Sequence, residues 1–230
     1  MRKNELLKEP RTGCKDVWNA FMTKGAIYSI NDIPFCPTTA KSPPIGVIGY
    51  DETKRLPHTD YFVHFYLDDY KFDGKRGIWS EPYKALDRIK HYAGIITADF
   101  STYQDMPEPI KIYNTFRSRA FGYWAGSQGI SVINNVRWGT PETFRYCFDG
   151  IPKHSIVAIG TVASNMRNKR SRLRFERGLF EMVDRLEPHT IIVYGSSNYK
   201  CFESLRCKNI NIITFPSKTS LAFERRRNDE

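Results

Sequence analysis

Charged side chains follow three of the apolar runs in this chain, at the points where those runs end. Asp68 and Asp69 follow one run, and Asp99 follows a second. Arg137 lies shortly after a third. Carboxylates from neighbouring strand ends can hold Mg²⁺, which polarises a phosphoryl group, and an arginine beside them can clamp a phosphate. The sequence therefore predicts Asp99 and Arg137 as catalytic residues, with Asp68, Asp69 and Asp99 as Mg²⁺ ligands. The alternative is that these aspartates only cap turns.

Residues 165–177 form a strongly basic segment, with six Lys or Arg residues against one Glu. Such a cluster attracts the phosphate of a nucleotide or a nucleic acid, although a solvated basic face explains it equally well. A helix starting here, with Ser164 or Ser171 as its cap, would also present backbone N–H groups to an anion. The predicted phosphate-binding residues are Arg167, Lys169, Arg170, Arg172, Arg174 and Thr161.

Several common catalytic motifs are absent from the sequence. The loop 160–164 lacks the Gly-Lys-Ser/Thr ending of a Walker A motif, and neither G-x-S-x-G nor H-E-x-x-H occurs. The five cysteines are widely spaced and form no C-x-x-C pair, which predicts free thiols in a reducing compartment. A nucleoside triphosphatase of the Walker type is therefore not expected.

The segment 108–126 has helical spacing and one unusual face. Asn114 and Arg117 fall on the same stripe as the aromatic residues Phe121 and Trp124. A buried arginine needs a partner. Arg117 is therefore expected either to pair with Asp99 or Asp105, or to reach into the site as a third catalytic residue. The other predicted pocket residues are Asn114, Asn135, Trp138 and Ser196.

The elements that must position these residues alternate between strands and helices. Near-continuous apolar runs indicate strands buried on both faces of a parallel sheet, and 108–126 and 172–187 have helical periodicity. This pattern predicts an α/β fold with a mainly parallel sheet built from βα units, as an open three-layer sheet in preference to a partial TIM-like barrel. The seven predicted strands are Ile45–Gly49, Tyr61–Leu67, Gly94–Ala98, Ile130–Asn134, Ser155–Gly160, Thr190–Tyr194 and Asn209–Phe215.

Composition places these elements in one folded domain. The chain has 230 residues, 40% of them hydrophobic and 14% aromatic, which excludes a disordered chain. It has no apolar run long enough to cross a bilayer and no apolar signal core at its start, so a cytoplasmic protein that does not contact membranes is expected. Most of the formal net charge of +10 lies in residues 1–15 and 165–177. We predict a basic arm (1–24), one α/β domain (25–217) and a charged tail (218–230).

Six long strings resemble one family, which is catalogued as domain of unknown function 4417 and occurs in bacteria, their phages and conjugative elements. The strings are HFYLDDYKFD (64–73), ADFSTYQDMP (98–107), IYNTFRSRAFGYW (112–124), GISVINNVRWG (129–139), FDGIPKHSIVAIGT (148–161) and TIIVYGS (190–196). The resemblance covers about residues 25 to 216 and implies a phage or mobile-element protein of the cytoplasm, with no established activity. Asn134 stands where the family pattern has Pro, and the basic run after Thr161 departs from that pattern.

Three functions follow from these observations. The first is an enzyme acting on a phosphate-bearing substrate, with metal-dependent hydrolysis by a phosphoesterase or nuclease as its specific form. The second is a nucleic-acid-binding accessory protein without catalysis. The third is an inhibitor of host defence that binds a host protein or sequesters a signalling nucleotide. A nucleotide or nucleic acid is the expected partner in the first two.

Overall fold

The seven predicted strands all form, and they make one parallel sheet. The computed structural model describes residues 2–3, 16, 18–53 and 60–222, so most of the predicted basic arm and residues 223–230 of the predicted tail lie outside the described residues. Each strand lies within three residues of its predicted bounds. The strands of the sheet are β3 (Val47–Gly49), β4 (Phe62–His64), β5 (Gly94–Ile96), β6 (Val132–Asn135), β7 (Ile156–Gly160), β8 (Thr190–Tyr194) and β9 (Asn211–Phe215). Two further strands, β1 (Arg2–Lys3) and β2 (Ile27–Tyr28), pair antiparallel with each other.

The strand order in the sheet is sequential, from β3 at one edge to β9 at the other. Right-handed crossovers, which are the rule between parallel strands, would therefore move the chain one strand further in the same direction each time and leave the connecting helices on the same face. The α/β class and the parallel sheet are confirmed. The sheet is open, but it curls into a half-barrel, so the preference for three layers over a partial barrel was wrong in that respect. A three-layer sheet needs a reversal of strand order to place helices on both faces.

The two faces of the sheet are buried in different ways. On the helix-covered face, strand residues such as Val63 and Ile95 pack against Phe121 and Trp124 of a helix. The concave face is filled by side chains of the sheet itself and by flanking residues outside the helices. Its buried apolar residues are Phe62, Ile96, Ile133, Ile156, Ala158 and Ile192. Polar groups at the carboxyl ends of the strands therefore lie next to an apolar interior.

Four α-helices and four short 3-10 helices complete the described chain. Both predicted helices form, and α3 begins earlier than predicted because the Asn168 side chain caps it, accepting a hydrogen bond from the Ser171 N–H at 3.0 Å. The cap is thus neither Ser164 nor Ser171, and Lys169 and Arg170 lie in the first helical turn. The α-helices are α1 (Pro82–Ile89), α2 (Glu108–Ser127), α3 (Lys169–Leu186) and α4 (Lys200–Cys207). The 3-10 helices are Ala20–Thr23, Asp69–Lys71, Pro141–Arg145 and Val162–Ser164.

Two features of the described residues bear on the excluded classes. No helix in this part of the chain has the length and apolar character needed to span a membrane. Cys36, Cys147, Cys201 and Cys207 are free thiols. Burial raises the pKa of both Cys36 and Cys147 to about 12, so these two thiols stay protonated and unreactive at neutral pH.

Candidate functional site

Asp99 and Arg137 meet at the carboxyl ends of β5 and β6. An Arg137 Nη1–H donates to Asp99 Oδ2 at 2.7 Å, and the Asn135 amide donates to Asp99 Oδ1 at 2.8 Å. The Tyr66 hydroxyl donates to Asn135 Oδ1 at 3.0 Å. Burial raises the pKa of Tyr66 well above its usual value, and the nearby Asp99 charge adds to this, so the hydroxyl stays a donor. Both carboxylate oxygens of Asp99 are therefore engaged in holding Arg137 in place.

A cavity of about 210 Å³ opens beside this pair. Its walls come from the loop after β5, the chain that continues β6, the end of β7 and the first turns of α3. Arg174 is half-buried in the wall and forms no ion pair with any described residue. Thus one arginine is oriented by a carboxylate and a second one is free to bind an anion. The lining residues are Asp99, Thr102, Gln104, Val136, Arg137, Trp138, Gly139, Gly160, Ala163, Ser164, Asn165, Ser171, Arg174 and Phe175.

Thr102 brings an unused hydroxyl to this cavity. The residue is 5% exposed, and its Oγ1 has no hydrogen-bond partner in the part of the chain that the structure describes. Buried hydroxyls are normally hydrogen-bonded, because an unpaired one loses its interaction with water without replacement. Thr102 therefore places an unpartnered hydroxyl in the wall of the cavity.

Trp138 and Phe175 give the cavity an apolar part of its lining. The Trp138 indole lies 5.1 Å from the Phe175 ring, centroid to centroid. Gly178 of α3 faces the indole so closely that a Cβ at this position would overlap it. The helix can approach the β6 loop only because residue 178 lacks a side chain. The position of Trp138 therefore depends on the packing of α3.

The five predicted phosphate-binding residues of the basic segment divide into three groups. Arg174 lines the cavity, whereas Arg167, Lys169 and Arg170 are exposed outside it and have no ion-pair partner among the described residues. Arg172 lies 4.0 Å from Glu176 on the same helix. The structure thus joins the basic segment to the cavity through a single guanidinium.

Thr161 and Ser196 lie outside the cavity and bond to each other. The Thr161 hydroxyl accepts from the Ser196 N–H at 2.9 Å and donates to the Ser196 carbonyl at 3.0 Å. This pair ties the loop after β7 to the loop after β8. Neither residue lines the cavity, and the Thr161 hydroxyl is occupied by the backbone of Ser196.

The three predicted metal ligands are not brought together. Asp68 is exposed and lies 3.5 Å from the Lys71 ammonium. Asp69 accepts hydrogen bonds from the backbone N–H and the hydroxyl of Ser101, and burial raises its pKa. Within the described residues, no three His, Cys, Asp or Glu side chains converge on one point. This donor set does not fit Mg²⁺, which needs several oxygens arranged around it.

Arg117 pairs with a carboxylate that the sequence did not suggest. Its Nη1 lies 2.9 and 2.8 Å from the two carboxylate oxygens of Asp73, so neither Asp99 nor Asp105 is its partner. Its Nη2 donates to Asn114 Oδ1 at 2.6 Å, and the Asn114 amide donates to the Ser101 carbonyl. Neither Arg117 nor Asn114 lines the main cavity. Through Asp73 and Asn114, Arg117 thus links the loops after β4 and β5.

Sequence reasoning missed two residues that matter here. Thr102 lies in a loop with no periodic pattern, and its importance comes only from the absence of a partner. In the sequence, Tyr66 falls near the end of a predicted strand, and only the sheet curvature brings its hydroxyl to Asn135. A weak signal for Tyr66 was available, since it precedes Asp68 at the carboxyl end of β4, where ligand-binding residues gather in parallel sheets.

Comparison with known proteins places the chain in a family. It is 37% identical over 189 residues to the Gene 1 protein of Mycobacterium phage L5, covering 78% of this chain and 77% of that protein. It is 39% identical over 137 residues to the Gene 1 protein of Mycobacterium phage D29, covering 60% of this chain and 49% of that protein. No solved structure matches. The family model described as Domain of unknown function (DUF4417) matches residues 25–216, and the chain belongs to that family.

Proposed function

We propose that this protein binds a phosphate-bearing ligand, a nucleotide or a nucleic acid, in the cavity beside Arg137 and Arg174. The observation that carries the proposal is the convergence of the two arginines, one oriented by Asp99 and the other without an ion-pair partner among the described residues. A guanidinium presents several donors in a fixed plane, which suits the oxygens of phosphate. The ligand would complete the charge balance of this cavity.

The start of α3 supports the proposal independently. A helix N-terminus carries a partial positive charge, so acidic residues are favoured in its first turn. The first turn of α2 contains Glu108, whereas the first turn of α3 contains no acidic residue and begins with Lys169 and Arg170. The two positive side chains lie at the positive end of the helix dipole, and they also repel each other. A phosphate bound beside this turn would offset that repulsion.

Each part of the cavity has a distinct role in this proposal. Arg174 and Arg137 bind phosphate oxygens, and Asp99 fixes the plane of the Arg137 guanidinium. Thr102 and Ser171 offer hydroxyls to phosphate or sugar, and the Trp138 wall contacts the apolar face of a sugar or base. The proposal is one of binding, and no hydrolytic step is assigned to the aspartates.

Titration calorimetry with inorganic phosphate, pyrophosphate, AMP and ATP tests the proposal. Arg174→Gln should weaken binding of the best probe about 10-fold or more, because a charge-assisted hydrogen bond contributes about 1.5–3 kcal/mol. Arg177→Gln is the matched control, since it removes an exposed arginine one turn further along α3 without touching the cavity. Circular dichroism would verify that both variants fold.

The possible results separate the remaining functions. Binding without turnover of the probe would favour a carrier or a sequestering inhibitor, which would use the same cavity. Failure of the wild-type protein to bind any probe, or equal binding by Arg174→Gln, would overturn the proposal.

A further inference from the structure

We propose that the cavity receives the phosphorylated end of a single-stranded nucleic acid, while the adjoining strand lies along the exposed cations Arg167, Lys169 and Arg170. We call these three residues the basic ridge. This inference rests on the proposed function and goes further, because it names the ligand class and assigns the ridge a role. Four observations support it, and they concern cavity size, charge placement, an unused hydroxyl and the position of the cavity.

The size of the cavity limits what can enter it. Pockets that enclose a drug-sized ligand hold about 300–1,000 Å³. The cavity holds about 210 Å³, which suits one phosphate and the sugar attached to it. The remainder of any larger ligand must therefore lie outside. A base-paired end would bring a second strand for which this volume has no room.

The positive charges outside the cavity suit the part of a nucleic-acid strand that does not fit inside it. The basic ridge is exposed, and none of its three side chains forms an ion pair with a described residue. Arg170 and Arg174 are four residues apart on α3, so they lie on the same face of the helix with their Cβ atoms about 5–6 Å apart. One of them is exposed and the other lines the cavity, which makes a continuous row of cations from the surface inward. A free mononucleotide would leave the outer part of this row unused.

The hydroxyl of Thr102 indicates that the cavity recognises a specific polar group. It is buried and unpartnered among the described residues, in the wall formed by the loop after β5. A hydroxyl both donates and accepts, so it can bond to a terminal phosphate oxygen or to a sugar hydroxyl. Internal phosphates of a strand, which carry one negative charge each, would satisfy the ridge. A terminal phosphate carries more charge and would suit the two arginines of the cavity.

The place of the cavity in the fold agrees with this assignment. It lies at the carboxyl ends of β5, β6 and β7, where parallel α/β folds bind their ligands. The start of α3 borders it, and a helix start stabilises a doubly charged phosphate more than a singly charged one. The ridge belongs to the same loop and the same first turn. Terminal phosphate and adjoining strand would therefore contact one contiguous surface.

Fluorescence anisotropy with labelled 12-nucleotide strands tests the inference. Strands with a 5′-phosphate, a 3′-phosphate or hydroxyls at both ends are compared with a blunt duplex of the same sequence. The strand with a phosphate at one of its two ends, 5′ or 3′, should bind about 10-fold tighter than the strand with hydroxyls at both ends. The duplex should bind more weakly than either of these single strands. Thr102→Val and Arg174→Gln should each remove most of the preference for the phosphorylated end.

The same experiment tests the role of the basic ridge separately, through affinity and its dependence on salt. Arg170→Gln should weaken all single strands by the same factor and should reduce the log–log salt slope by about 0.7, the value for one lost phosphate contact on a single strand. Lys208→Gln, which removes an exposed cation beside α4, is the control and should change neither quantity.

Each outcome assigns the failure to one proposal. Equal affinity for phosphorylated and hydroxyl ends, or equal affinity for the duplex, would overturn the terminal-phosphate inference. Mononucleotide binding that depends on Arg174, without tighter binding of any strand, would leave the proposed function intact and refute only this inference. If neither mononucleotides nor strands bind, both proposals fail.

Discussion

Helices α2 and α3 carry arginines of the same chemistry in opposite environments. On α2, Arg119 is fully buried and donates to the backbone carbonyls of Asp149, Asn135 and Cys147 at 3.1, 3.0 and 3.2 Å. On α3, Arg170 is exposed and has no partner among the described residues. Arg119 uses its guanidinium in hydrogen bonds within the fold, whereas Arg170 is available to a ligand. The number of arginines on a helix therefore says little about function until their partners are known.

The contrast extends to the whole face of each helix. Helix α2 buries several polar side chains, including Lys111, Asn114, Arg117 and Ser118. Helix α3 buries only apolar residues and glycine, and its basic residues face outward or into the cavity. Buried ions must be paired, because the cost of removing them from water is large. Exposed ions cost little, so a sequence can keep them free for binding.

The largest expected effect comes from making the same substitution on both helices. Arg119→Met would leave three buried carbonyls without donors, and we expect it to lower the free energy of unfolding by about 3–5 kcal/mol. Arg170→Met should change this free energy by less than about 0.5 kcal/mol, as is usual for surface positions. Urea denaturation of the two variants measures both values. Similar losses in the two variants would remove the distinction between the helices.

A pair of glycine substitutions gives an intermediate effect. In Gly178→Ala the new methyl would overlap the Trp138 indole, and we expect a loss of about 1–3 kcal/mol together with weaker ligand binding. In Gly126→Ala on α2 the nearest atoms lie at 3.5 and 4.0 Å, so the methyl fits. Because alanine favours helix, this control should gain up to about 1 kcal/mol. Thermal unfolding and phosphate-ligand titration measure the two effects, and unchanged binding in Gly178→Ala would separate Trp138 from the site.

At neutral pH the smallest expected effect concerns His64, a residue that burial keeps uncharged. His64 lies on the inner face of β4, and burial, with a smaller contribution from Lys218, lowers its pKa to about 3. In the unfolded chain His64 would bind a proton near pH 6.5, whereas in the folded chain it stays neutral down to about pH 3. This contribution to stability is thus complete above pH 6.5 and is lost as the pH falls. Between pH 6.5 and 4.5 we expect His64→Asn to remove a slope of up to about 1.4 kcal/mol per pH unit.

The measurement for His64 is urea denaturation at four or five pH values. The exposed His154→Asn variant is the control and should keep the wild-type slope. An unchanged slope in His64→Asn would show that the ring is not buried in its neutral form.

Much of the fold was predictable from the sequence. All seven strands follow from apolar, β-branched runs, because buried parallel strands need apolar residues on both faces. The helices α2 and α3 follow from their periodicity. Curvature into a half-barrel did not follow, since it depends on strand order, and a run of apolar residues carries no information about its neighbours in the sheet. The shorter helices α1 and α4 were also missed, because eight residues give too few repeats to establish a period.

The candidate site was predicted only in outline. Asp99, Arg137 and Arg174 do line one cavity, as expected of residues at the carboxyl ends of neighbouring strands. Arg117 was misplaced, because its partner Asp73 lies 44 residues away in a loop and no spacing rule connects the two. Asp68 and Asp69 were grouped with Asp99 by their position after strands, yet β4 ends at His64 and the two aspartates begin a 3-10 helix, in which Asp68 faces solvent.

The sequence alone determined the elements of this protein, its family and the location of its excess positive charge. The elements and the charge distribution follow from local composition and periodicity, which act over a few residues, and the family follows from the resemblance of six long strings. Only the tertiary structure decided which arginines are paired, which hydroxyl lacks a partner and where the cavity opens. These properties depend on contacts between residues far apart in the chain, and such contacts exist only after the sheet has curled and the helices have packed on it.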